Sequence, residues 1–116
     1  MTPEDYRRIA LALPEAIEGA HMNHPDFRVR GKIFATVWPA ENKGVLKLTL
    51  EQQKLVSEEA PAIFAPFPGG WGQRGATAVN LEHAKESTVR SALVMAWRNI
   101  APKALAAAVG SPGSDT

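Results

Sequence analysis

The chain contains no cysteine. That absence removes disulfide scaffolds, thiolate zinc sites, iron–sulfur clusters, cysteine nucleophiles and CxxC redox chemistry together. No apolar run approaches the ~20 residues a membrane-crossing helix needs. The opening MTPEDYRR has no positive stretch leading into an apolar core, so no signal peptide is expected and the expected location is the cytoplasm. Excess charge of one sign is scarce too: thirteen Lys and Arg face twelve Asp and Glu, leaving +1 and a pI near 8.1. A domain that binds nucleic acid through its overall field usually has a pI above ~9. Any such binding here must therefore come from local clustering. Basic residues outnumber acidic ones in 26–32 and 82–103, whereas 1–18 and 41–59 are mildly acidic.

With 116 residues, 45% of them hydrophobic and 22% charged, the chain has the length and composition of one soluble globular domain. A single domain over 1–109 is expected, with the Gly/Ser/Pro-rich 110–116 as a disordered tail. Thr2-Pro3-Glu4-Asp5 reads as a helix start, with a hydroxyl cap, proline in the first turn and carboxylates at the positive end of the dipole. Tyr6, Ile9, Ala10 and Leu13 recur at helical spacing until Pro14. Residues 15–22 fit a strand or a loop, and Pro25-Asp26 reads as a turn. Phe27 and Val29 then alternate with Arg28 and Arg30, Arg30-Gly31 suits a hairpin turn, and 32–38 is rich in strand formers. In VLKLTL the pattern assigns Leu46, Leu48 and Leu50 to the core and Lys47 and Thr49 to the outside. A short helix over 51–60, an edge segment over 62–67 and a strand through Thr77, Val79 and Leu81 follow. A final helix begins near Glu86 with a stripe of Val89, Leu93, Ala96 and Ile100. Pro102 interrupts it before Lys103 resumes. Strands joined by short turns must pair antiparallel. The expected fold is α+β, two layers, with helices on one face of an antiparallel sheet.

The chemistry-bearing residues are few. His21, His24 and Asp26 lie close in sequence, but a metal site needs three or four convergent ligands, and the turn-and-surface reading of these histidines is the better one. No metal and no cofactor is expected. Glu18 and His21 form a candidate ligand-binding or proton-transfer pair, but no nucleophile accompanies them and no GxSxG elbow exists, so the chain is not expected to be an enzyme. The GGWGQRG stretch lacks the GK[ST] of a P-loop and the strand-to-helix setting of a dinucleotide fingerprint. Two roles remain open for it. Its backbone N–H groups, with Arg74 and Trp71, can hold a phosphate or stack a base. Alternatively its glycines allow a turn in which Trp71 caps the core. Simple alternation puts Lys32, Phe34, Thr36 and Trp38 on one strand face and Ile33, Ala35 and Val37 on the other. Either Phe34 and Trp38 fill the core or they form an aromatic patch beside Arg28, Arg30 and Lys32.

The blocks HPDFRVRGKIFATV, LKLTLEQQ, PFPGGWGQRGATAVNL and AWRNIAPKAL, in that order, resemble the MmcQ/YjbR-like family of small bacterial proteins over residues 11–105. The resemblance implies an α+β fold of the secretion-chaperone-like type, with helices on one side of a curved antiparallel sheet, and DNA as a partner. No catalytic residues come with it. The expected function is weak phosphate-backbone binding, with Arg28, Arg30, Lys32, Arg74 and Lys103 on phosphates and Trp71 stacking. The alternative is a non-catalytic binding module for a protein partner or a small anion. A monomer is expected.

Overall fold

The computed structural model describes residues 1–21 and 23–108, with His21 described by its backbone only. The expected tail over 110–116 lies outside the described residues. Helix α1 (Pro3–Leu11) starts with a capping box in which the Thr2 hydroxyl accepts from the Asp5 N–H and the Asp5 carboxylate accepts from the Thr2 N–H. Strands β1 (Ala16–His21), β2 (His24–Val29), β3 (Lys32–Trp38) and β4 (Lys43–Lys47) follow as a meander. Helix α2 (Leu50–Glu59) crosses to the far edge, where β5 (Phe64–Pro66) lies. The single-turn α3 (Gly70–Gln73) leads into β6 (Ala76–Asn80), which inserts between β4 and β5. Helices α4 (Glu86–Ile100) and α5 (Lys103–Ala107) close the described chain. The sheet order is β1-β2-β3-β4-β6-β5, antiparallel throughout. The expected α+β two-layer fold is the one observed.

Helices α1, α2 and α4 pack on one face of the sheet. Tyr6 and Ile9 from α1, Val56 from α2, and Val89, Leu93 and Trp97 from α4 meet Phe27, Val37, Leu46 and Val79 from the strands in one core. Two buried polar groups are satisfied there. The Tyr6 hydroxyl donates to the Val45 carbonyl at 3.1 Å, and the Trp97 indole donates to the Pro14 carbonyl at 3.0 Å. Gly44 is glycine because a Cβ there would fall 2.4 Å from the Tyr6 ring.

Four expectations change. Pro25 and Asp26 are in β2, and the hairpin turn comes earlier, with Asn23 at φ 68°. The Arg30-Gly31 turn forms as expected, with φ of 52° and 83°. Leu50 does not join the core: Thr49 caps α2 through a second capping box, so the strand alternation ends at Leu48 and Leu50 is 55% exposed. Residues 70–73 form a helical turn instead of an open loop. Finally, Phe34 and Trp38 face opposite ways. Phe27 pairs with Ala35 and Arg28 with Ile33, so one step on β2 matches two on β3, and Phe34 is the extra, bulged residue. The bulge shifts the alternation by one, leaving Phe34, Ala35 and Val37 in the core while Ile33, Thr36 and Trp38 face away from the helices.

Candidate functional site

The face of the sheet turned away from α1, α2 and α4 carries no helix layer, and only α3 overhangs it. Asp26, Thr36, Val45 and Ala78 form one cross-strand row on this face, with Trp38 and Lys43 paired in the next. Above Thr36 and Val45 lies a groove of about 200 Å³. Its walls are aromatic. The His24 imidazole stacks on Trp38 at 4.2 Å with the rings 2° from parallel. Phe67 meets Trp38 edge-on at 5.5 Å, and Trp71 follows Phe67 at 5.9 Å. The Lys43 ammonium sits 4.8 Å from the Trp38 ring centre and 5.1 Å from that of Phe67, within cation–π range of both. Trp71 is 54% exposed, so it does not cap the core.

A second recess, of about 170 Å³, adjoins the groove across Trp71 and is lined by Lys47 and Arg74. Neither cation has an ion pair or side-chain hydrogen bond among the described residues. No carboxylate from the described residues lines either recess. This is the local clustering that a net charge of +1 conceals.

The residues singled out in the sequence divide between two fates. Trp71 and Arg74 stand together, beside Lys47. Arg28 lies on the same face, next to Ile33, but its guanidinium makes a two-pronged contact with the fully buried Asp26 at 2.8 and 3.1 Å. That hydrogen bond, with the charge of Asp26, raises its pKa further and neutralises it internally. Gly19 makes room for the pair, since a Cβ there would approach both Asp26 and Arg28 at 2.9 Å. Arg30, in the hairpin turn, is held by Glu15, whose carboxyl is lowered from its ordinary pKa by the same hydrogen bonds. Lys32 is exposed at the start of β3, and Lys103, exposed at the start of α5, lines neither recess. Glu18 accepts from Arg7 of α1 at 2.6 Å. The side chain of His21, the other half of the proposed pair, lies outside the described residues.

The sequence reading missed His24 as a stacking partner, and it missed Lys43, Lys47 and Phe67. For Lys47 the signal existed: alternation with Leu46 and Leu48 already put it on the opposite face. Nothing local marks Phe67, which reaches Trp38 only because β5 returns along the far edge.

Three of the four glycines of GGWGQRG are required by the backbone. Gly69 and Gly75 have φ of 85° and 109°, and a Cβ on Gly72 would fall 1.7 Å from the Phe67 carbonyl oxygen. They hold Trp71 and Arg74 outward. Arg74→Ala should therefore leave the melting temperature nearly unchanged, because an exposed unpaired guanidinium adds little to folding. It should weaken anion binding by ~1–2 kcal/mol, the worth of one charge-assisted contact. A thermal melt and a binding titration on the variant check both halves.

Among the described residues no helix is long and apolar enough to cross a membrane. No curated protein matches the sequence. The crystal structure of Deinococcus radiodurans protein DR2400, with a domain described as DUF419, superposes with a TM-score of 0.74 at 18% identity, covering 98% of this chain and 91% of that one. At that identity the likeness concerns the fold. The family model described as YjbR matches residues 11–99, and by that match, across most of its length, this chain belongs to the YjbR family.

Proposed function

We propose that the helix-free sheet face binds nucleic acid. The observation that supports this is the aromatic row Trp38–Phe67–Trp71 flanked by Lys43, Lys47 and Arg74, with no carboxylate from the described residues lining the two recesses. Trp71, half-exposed, offers a face on which any base can stack, and lysine and arginine donate to phosphate oxygens. DNA is also the partner implied by the sequence resemblance. The binding surface lies on β4 and the α3 turn and not on the arginine-bearing strand, where Arg28 and Arg30 are engaged with Asp26 and Glu15. Arg28 and Lys32 are flanking residues at most, and Lys103 plays no part. The role is binding without catalysis, and the same reading carries the expectation of a cytoplasmic monomer.

Binding through three cations is weak and salt-sensitive, with a log–log salt slope of about −2 for a single strand and closer to about −3 for a duplex. Titration of labelled oligonucleotides at low and at moderate salt tests the proposal. Absence of binding at tens of micromolar protein in low salt would sink it.

A protein-binding patch that needs Phe34 and Trp38 on one surface lacks support, because Phe34 lies in the core and Trp38 lines the groove.

A further inference from the structure

We infer that the unit recognised on this face is a nucleotide with an unstacked base, so that the nucleic acid bound is single-stranded. The inference rests on the nucleic-acid reading and narrows it. Three features of the face carry it.

The first is shape. The groove, of about 200 Å³, is lined by the rings of His24, Trp38, Phe67 and Trp71 over Thr36 and Val45 of the sheet. Bases inside a duplex have both faces covered by their neighbours and their edges recessed between two backbones. None can enter such a groove without leaving the stack, which is unfavourable. A single strand has already met that cost.

The second is preorganisation. Trp38 is held between the His24 ring and the Lys43 ammonium, so it stands as a fixed wall. Trp71 is half-exposed across the groove and tilted 33° to Phe67. An inserted ring would find Trp71 free to lie against it. The Thr36 hydroxyl on the floor makes no hydrogen bond among the described residues, which leaves it available to a base edge.

The third is charge placement. The recess bearing Lys47 and Arg74 adjoins the groove directly across Trp71. A planar, weakly polar ring beside an anion is the chemistry of a nucleotide, and the two recesses match its two parts. A strand and a free mononucleotide share that chemistry.

The test uses the full chain and tryptophan fluorescence, read alongside anisotropy of labelled probes. The probes are a mixed-sequence single-stranded 12-mer, the same 12-mer as a duplex, a 12-mer of abasic sites, and a mononucleotide. The inference expects the single strand to quench tryptophan emission and to bind at least about tenfold more tightly than the duplex or the abasic strand, one stacked base being worth that much. Trp71→Ala, a surface change checked by its melting curve, should lose about tenfold for the single strand. If the mononucleotide binds as tightly as the strand, the ligand is a free nucleotide, and the inference of a bound single strand fails together with the nucleic-acid reading. A duplex that equals or exceeds the single strand overturns the inference and leaves the nucleic-acid reading standing. Abasic binding equal to that of the intact strand, or an unaffected Trp71→Ala variant, likewise overturns it. If none of the four probes binds, both fall.

Discussion

Replacing Trp97 by alanine is expected to cost about 3–5 kcal/mol of folding stability, the largest loss from any single truncation in this core. Trp97 is fully buried on α4, at the centre of the contact between that helix, α1 and the sheet. Its removal leaves a cavity bounded by elements far apart in sequence, which cannot collapse together without moving the sheet. The loss also orphans the Pro14 carbonyl, which accepts the indole N–H at the turn between α1 and β1. Urea unfolding followed by circular dichroism would show a lower midpoint, and the melting temperature should drop by roughly 10–20 °C. Trp97→Phe keeps most of the volume and forfeits the hydrogen bond, so it should fall between the two. A midpoint unchanged in Trp97→Ala would mean that α4 does not pack as described.

Gly72→Ala is the second large effect, and it couples stability to the site. The obstacle is backbone: the new methyl would sit 1.7 Å from the Phe67 carbonyl oxygen and 2.8 Å from its carbon. A side chain could swing aside, but here either α3 or the segment before it must move. The expected cost is about 3 kcal/mol, the upper end for overpacking. Because Phe67 and the neighbouring Trp71 form one wall of the groove, ligand binding should be lost beyond what reduced stability explains. Gly70→Ala is the matched control. Its Cβ would meet nothing within 4 Å, and its φ is not positive, so stability should hold or rise slightly. Denaturation and titration of the two variants side by side separate steric need from simple loss of glycine flexibility.

Much of the fold could be read locally. Pro3 after a threonine cap, the Arg30-Gly31 turn and the helical stripe from Val89 are signals carried by neighbouring residues, and each formed the element they indicate. Where the reading failed, a long-range or competing influence decided. Leu50 continued a strand pattern, but the Thr49–Gln52 capping box was the stronger local instruction. Phe34 looked like the partner of Trp38 because alternation assumes an unbroken ladder. The bulge depends on register with β2, which no property of β3 announces. The site suffered most from this. Arg28 and Arg30 look like free cations in sequence, and only the fold supplies Asp26 and Glu15 to occupy them. Conversely, Lys43 and Phe67 look ordinary until the strands and the segment before α3 bring them around Trp38.

The most direct measurement of the central claim is mapping of backbone amide chemical shifts as a single-stranded 12-mer is added to the labelled full chain. The account predicts that the perturbed amides cluster on the helix-free face, around Thr36, Trp38, Val45, Lys47 and Trp71, while α1, α4 and the segment at Lys103 stay unmoved. Perturbations centred on the helix layer, or none at saturating oligonucleotide, would contradict it.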